Sequence, residues 1–324
     1  MNDDYLWDRS GEPDAEVARL ESLLERYRHD DKRTAAVPTA GEDAGGPRRR
    51  RIWPFLAAAA ALVLVVGGAL LAYRFLWKSG EAWPVTIVSG TTTRTTRLGV
   101  GDELRTDAHT RAIVQIARVG EVEIGPGSSV RLITTTSRRH ILRLDRGTLV
   151  ARTWAPPFTF AVDTPSGLAS DIGCAFTLHH ADDLGQLHVT SGWVDFDGRD
   201  RSSLIPAGAV TELRNGNPGS PHYADAPPAL RAALHAYDFE HGPLEPILAS
   251  VRRRDALTLL HLLERVAPEK RGLVFDTLAR LAPPPREVTR AGIINGELEM
   301  VDAWRHSLGL GGYKKWWLYW RDAL

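Results

Sequence analysis

A single cysteine in 324 residues, Cys174, leaves no partner for a disulfide within the chain and cannot build a cysteine-based zinc site. Any part outside the cytoplasm must therefore be stabilised by an ordinary core, and the roughly 245 residues that follow the apolar run at 52–73 are enough for one or two. The usual catalytic signatures are missing as well. Ser191-Gly192 lacks the Gly-x-Ser-x-Gly elbow, and Gly125-Pro126-Gly127-Ser128 lacks the lysine of a phosphate loop. Asp182-Asp183 and the pair Asp195 and Asp197 fall short of a calcium-loop spacing. Cys174 would share a strand face with Phe176, Leu178 and His180, so a thiol–imidazole contact is geometrically open, but a small buried cysteine is the simpler reading. The expectation is a protein that is not an enzyme, with no cofactor and no metal. Formal net charge is zero. Basic residues are scattered rather than clustered through the larger C-terminal part, which gives no reason for direct contact with nucleic acid.

What the chain does have is an uncharged run of 22 residues, Ile52 to Tyr73. At about 1.5 Å per residue it spans the roughly 30 Å hydrocarbon core of a bilayer as one helix. Arg48, Arg49, Arg50 and Arg51 stand directly before it, whereas only Arg74 and Lys78 follow closely. That asymmetry predicts a cytoplasmic N-terminus and an exported C-terminal part, with Trp53 and Trp77 at the two interfaces. A secretory signal peptide would begin within a few residues of Met1 and carry a shorter apolar stretch. A buried core helix of this length without a polar face would be rare.

The segment before the run is acidic: Met1 to Pro47 carries twelve acidic and six basic side chains, a net charge of −6. It opens with Tyr5, Leu6 and Trp7. Pro13 suits a first helical position. From Asp14 to Arg28, Val17, Leu20, Leu23, Leu24 and Tyr27 recur at spacings of three and four and form one apolar stripe. A helix of about fifteen residues is marginal alone in water and needs a partner. That partner is either a second copy or, as the acidic faces favour, a basic cytoplasmic protein such as a DNA-binding protein. Residues 32–51 read as a flexible linker ending in the arginines, rich in Ala, Gly, Pro and Thr over much of its length.

From Val85 to Leu213 the hydrophobic period is two. Ala112 to Ile116, Gly120 to Ile124, Val130 to Ile133, His140 to Leu144, Thr148 to Val150, Phe158 to Val162, Phe176 to Leu178, Leu187 to Val189 and Trp193 to Phe196 are short alternating runs punctuated by glycine and proline. About a dozen short strands of this kind predict an all-β sandwich, roll or solenoid-like stack, with no room for the crossover helices of a parallel α/β fold. After a polar break at Asn215 to His222 the period returns to 3.6. Helices are predicted over Pro227–Phe239, Pro243–Arg253, Asp255–Val266 and Pro268–Leu281, with two more within Arg286–Leu308 and a last one near Tyr313–Leu324. Trp304, Trp316, Trp317 and Trp320 read as packing in a helical core rather than as a ligand site.

The β region has an ordered set of motifs. Gly101-Asp-Glu-Leu-Arg-Thr-Asp107 comes first, then Gly120-Glu-Val-Glu-Ile-Gly-Pro-Gly-Ser-Ser129 and Leu142-Arg-Leu-Asp-Arg-Gly-Thr-Leu-Val150. Phe158 to Pro165, Ile172-Gly-Cys-Ala-Phe-Thr-Leu178 and Val189-Thr-Ser-Gly-Trp-Val194 follow, and Ile205-Pro-Ala-Gly208 closes the set. This series resembles the FecR domain of bacterial periplasmic signal-transducing anti-sigma regulators over roughly residues 85–215. Cys174 stands where the family more often has threonine. The resemblance implies a single-pass inner-membrane protein whose tail binds an extracytoplasmic-function sigma factor and whose periplasmic domain takes a signal from a periplasmic or outer-membrane transducer. The small receptor-docking domain of the iron-uptake members has no counterpart here. His29 does not open a His-x-x-x-Cys-x-x-Cys arrangement and so departs from the zinc-binding kind of anti-sigma domain.

The expected architecture is mainly β plus α. It comprises a cytoplasmic anti-sigma-like segment at 1–31, the linker, a transmembrane helix at 52–77, a periplasmic FecR-like β domain at 83–215 and an all-α domain at 226–324. Tyr5, Leu6, Trp7, Val17, Leu20, Leu23, Leu24 and Tyr27 are the expected sigma-factor contacts, and Arg48 to Arg51 set the topology against the inner-membrane lipid. The competing class is a non-signalling envelope anchor, a glycan- or protein-binding module with a dimerising tail.

Overall fold

The structure, a computed structural model, describes residues 80–154 and 156–310, together with residues 61–68 and Arg19. The chain enters a large antiparallel sheet through a hairpin of β1 (Trp83–Ser89) and β2 (Thr92–Leu98). β3 (Glu103–Arg105), β4 (Thr110–Ile116), β5 (Gly120–Ile124) and β6 (Ser129–Thr135) follow. Next come β7 (His140–Thr153), β8 (Phe160–Thr164), β9 (Gly167–Ala181) and β10 (Leu184–Asp197), three of them 14 or 15 residues long. β11 (Ser202–Pro206), β12 (Ala209–Arg214), β13 (Asn217–Pro218) and β14 (His222–Tyr223) complete it. The main path through the sheet is β13-β12-β10-β9-β8-β7-β5-β4-β1-β2, with β6 bridging β3 to β7.

Alternation does what the sequence implies. In β4, Thr110, Ala112, Val114 and Ile116 are buried while Arg111, Ile113 and Gln115 are exposed. These inward residues join Val122, Ile124, Leu142, Leu144, Phe160, Phe176 and Phe196 in one core.

The long strands differ from the sequence expectation of short ones. His140–Leu144 and Thr148–Val150, which read as two strands, are one, bent at Gly147 (φ 102°). The first half of β7 lies between β6 and β8, and the second between β5 and β9. β8 runs parallel to the start of β7, pairing Phe160 with His140, although only residues 154–159 separate it from the strand's end. Seven Cα steps reach at most about 25 Å, whereas a straight strand of this length would part its ends by about 45 Å. The bend therefore brings both ends of β7 to one side of the domain. β9 and β10 bend in the same way beside Gly173 and Gly192, with register shifts between Val189 and Trp193. A Cβ on Gly192 would stand 2.2 Å from the carbonyl oxygen of Gly173, so this close approach requires glycine.

The helical region is α1 (Pro228–Phe239), α2 (Glu245–Ser250), a 3₁₀ turn (Arg253–Asp255), α3 (Ala256–Arg265), α4 (Pro268–Leu281), α5 (Arg290–Asn295) and α6 (Leu298–Ser307). Prolines open α1 and α4, where the missing N–H costs nothing. α5 starts on a Thr289 cap and ends at Gly296 in the left-handed conformation. Trp304 is fully buried, edge-on to Phe275 at 5.3 Å, and belongs to the helical core as expected. The predicted helix near Tyr313–Leu324, with Trp316, Trp317 and Trp320, lies outside the described residues.

Two features were not anticipated. The apparent polar break at 215–222 contributes β13 and β14, which pair with β12. The helices also pack onto the sheet: Thr258 donates to the carbonyl of Pro221 at 2.8 Å, and Leu257 enters the sheet's core.

Of the predicted span Ile52–Tyr73, residues 61–68 are described. They are helical and exposed throughout, with Leu62 at 64%, Val63 at 70% and Leu64 at 76% exposure. Among the described residues no helix is long and apolar enough to cross a membrane.

Candidate functional site

The expected partner contacts Tyr5, Leu6, Trp7, Val17, Leu20, Leu23, Leu24 and Tyr27, and the topology arginines Arg48 to Arg51, all lie outside the described residues. The structure instead draws attention to the seam between the sheet and the helices, which sequence periodicity did not reveal.

At its centre is Arg265, the last residue of α3, with a side chain only 9% exposed. Its guanidinium donates to Ser220 Oγ at 3.1 Å, to the Ser202 carbonyl at 3.0 Å and to Ser203 Oγ at 2.5 Å. Asp238 of α1, whose side chain is 2% exposed, lies 3.7 Å from Arg265 and 3.6 Å from Arg201. It accepts the Ser220 N–H at 2.6 Å. Burial pulls the Arg265 pKa down to about 10 against the opposing pull of Asp238. Beneath it, His261 donates its Nδ1–H to the Leu257 carbonyl at 3.0 Å, and burial lowers its pKa to about 3, so the ring is neutral. Arg305 of α6, also buried, extends the network by ion pairs to Glu264 and Asp302.

Along the outer side of the seam runs an open groove of about 640 Å³ between β12 and α1, lined by Gln186, Glu212, His222, Arg231, His235 and Glu240 among others. His235 bridges its walls: Nδ1 meets Glu212 Oε2 at 2.6 Å and Nε2 meets Glu240 Oε1 at 3.3 Å. The Glu212 hydrogen bond, reinforced by both carboxylate charges, raises the His235 pKa above the ordinary imidazole value. Chemically, the groove offers both signs of charge around a titratable imidazole.

The residues that invited a catalytic reading are engaged separately. Cys174 is free and buried, and its thiol points at the buried Asp171 carboxylate, not at a histidine. Asp171 also accepts from the Cys174 N–H at 2.9 Å and from Thr153 Oγ1 at 2.6 Å. Desolvation drives both acid groups up, so the thiol stays protonated. His180 instead meets Ser166 Oγ at 3.0 Å through Nε2, inside the fold, with Nδ1 unpartnered in the interior. At the chain's entry into the sheet, Trp83 Nε1 donates to Thr135 Oγ1 at 3.1 Å, which lies 2.9 Å from His140 Nδ1. Among the described residues no cluster of three or more His, Cys, Asp or Glu side chains could hold a metal ion.

These strands, and the motifs they carry, match a known family. Residues 102–195 fit the model of the family described as FecR protein. The chain contains a FecR domain. It spans β3 to most of β10, including the bends at Gly147, Gly173 and Gly192. No curated protein matches the chain in sequence. Two crystal structures of a proposed anti-sigma factor from Parabacteroides distasonis are similar to it, each with 19% identity and a TM-score of 0.34. The matches cover 39% and 41% of this chain, which spans 61% and 64% of theirs, less than two thirds in either case.

Proposed function

We propose that the protein is a single-pass bacterial inner-membrane regulator, an anti-sigma factor that acts by sequestration and not by catalysis. The acidic tail binds an extracytoplasmic-function sigma factor in the cytoplasm, and the FecR domain with its docked helices receives an envelope signal in the periplasm. The observation that carries the reading is the FecR match over residues 102–195, downstream of an acidic, amphipathic segment and an apolar run. Consecutive aliphatic side chains from Leu62 to Val66 lie exposed on a helix, and a bilayer is the solvent that suits them. The packed seam supports transmission, because Arg265 and Asp238 link the helices to the sheet.

The test is direct. A peptide of residues 1–47 binds a purified extracytoplasmic-function sigma factor encoded beside this gene. Leu20→Asp with Leu24→Asp weakens that binding at least a hundredfold, since each buried leucine contributes roughly 1.5–3 kcal/mol and each 1.4 kcal/mol is tenfold in affinity. A wild-type peptide that associates only with itself establishes the envelope-anchor alternative. A reporter fused after Leu324 that is active only in the cytoplasm overturns the topology.

A further inference from the structure

One end of the β domain collects basic and aromatic groups beside the point where the chain enters. Gly80 donates its N–H to the Thr135 carbonyl at 2.9 Å, which fixes the entry against the end of β6. The hairpin from β6 to β7 is closed by Thr136, whose Oγ1 accepts the N–H groups of Arg138 and Arg139 at 3.3 and 2.9 Å. Both arginines are exposed at this fixed tip, and among the described residues neither forms an ion pair.

The neighbouring strands end at the same level. Val85 of β1 pairs with Val114, so Trp83 stands level with Ile116, which pairs with Gly120, which pairs with Thr153. The turn after Ile116 carries the exposed Arg118, and the residue after Thr153 is Trp154, 64% exposed. The Trp154 indole is fixed by donating to the Arg118 carbonyl at 3.2 Å, and its backbone N–H donates to Val119 at 2.9 Å. Because β7 bends back on itself, this corner and the Arg138-Arg139 tip belong to one rim. Glu81, the acidic residue at the entry, is paired with Arg97 at 3.7 Å.

We propose that this rim, Arg138, Arg139, Arg118 and Trp154, rests on an anionic lipid surface. The proposal depends on the single-span reading above. Only Arg74 to Ser79 separate the apolar run from Gly80, and the seven Cα steps from Tyr73 to Gly80 reach at most about 25 Å. The rim is thus held within a short distance of the headgroups whatever path those residues take. Arginines near such a surface attract anionic lipid, and indole rings prefer the interface. A second copy of the chain is disfavoured as the occupant, because two such rims would oppose like charges. The contact would fix the orientation of the FecR domain on the membrane and hold the seam and groove in a constant relation to it.

The experiment uses the full chain in lipid nanodiscs at one copy per disc, with and without phosphatidylglycerol in phosphatidylcholine. Amide hydrogen exchange is read at 117–119 and 136–140. Exchange is expected to slow in the anionic discs, with the protection lost at high salt. In Arg138→Gln with Arg139→Gln, docking weakens by roughly thirtyfold, at about fivefold per arginine. These exposed substitutions leave the fold intact, and Trp154→Ala supplies an independent variant that also reduces protection. Equal exchange in both lipids, or protection unchanged in the variants, overturns the proposal while the span reading stands. A chain that does not incorporate into discs overturns both.

Discussion

Replacing Asp238 by alanine removes the carboxylate that faces two guanidiniums at the seam. The side chains of Arg265 and Asp238 are both buried, whereas that of Arg201 is 27% exposed and can recover water. Breaking a buried ion pair from one side costs about 3–5 kcal/mol, because the other charge stays buried without compensation. The Ser220 N–H loses its acceptor at the same time. In a fragment of residues 80–324, at roughly 2–4 °C per kcal/mol, the melting temperature should fall by about 6–20 °C. Asp238→Asn keeps an acceptor for Ser220 and loses only the charge, so it should fall between alanine and wild type. The decisive variant is Asp238→Ala with Arg265→Met. If the loss comes from a stranded charge, removing that charge should recover most of the stability, since an apolar pair of similar volume is often neutral. Urea unfolding of the four proteins closes the double-mutant cycle. A cost for Asp238→Ala below about 1 kcal/mol, or a double variant that simply adds the two single losses, would refute the argument.

Acid should unfold the domain through its buried histidines. Burial lowers the His140 pKa to about 4, so the folded ring is neutral while the unfolded chain takes up its proton near pH 6.5. Stability present above pH 6.5 is therefore lost as the pH falls towards 4, by up to about 3 kcal/mol at 1.36 kcal/mol per unit. Urea midpoints measured across that range should slope downward, and His140→Gln should flatten the slope. For Gly192→Ala, the left-handed backbone (φ 69°) and the contact with Gly173 should together cost at least about 2 kcal/mol, and a melting curve that matches wild type would contradict the strained-bend reading. Cys174→Ser retains a donor to Asp171 and should stay within about 1–2 kcal/mol of wild type, whereas Cys174→Ala leaves Asp171 short of a partner and should cost more in the same unfolding assay.

Local pattern announced the elements far better than it announced their joins. The alternation of β4 and the proline-led α4, Pro268–Leu281, are plain in the sequence because each depends only on its own period and ends. Gly147 was misleading for a physical reason. A glycine between two alternating runs is compatible with a turn between two strands or with a bend inside one, and only the partners on either side decide. Asn217–Pro218 and His222–Tyr223 were hidden because two-residue pairings have no period to detect. Asp238 and Arg265 looked like ordinary polar positions on amphipathic helices, since burial at the seam is set by residues 202–220, distant in sequence. His235 gave no sign of joining α1 to β12, because its partner Glu212 is 23 residues away.

β1 is gripped on both sides, by seven residue pairs with β2 and five with β4. It is also the first strand after the apolar run, so under the proposed single-span topology any pull between membrane and domain would pass along its axis. Hydrogen bonds lie across the strand direction in an antiparallel ladder, and such a pull loads them together in shear instead of opening them one at a time. A tug on the proposed anchor would thus meet the sheet in its mechanically resistant direction, whereas a force applied at β2, the edge strand, would peel it away pair by pair. Entry through β1 makes the domain stiff along its own chain and compliant at its free edge.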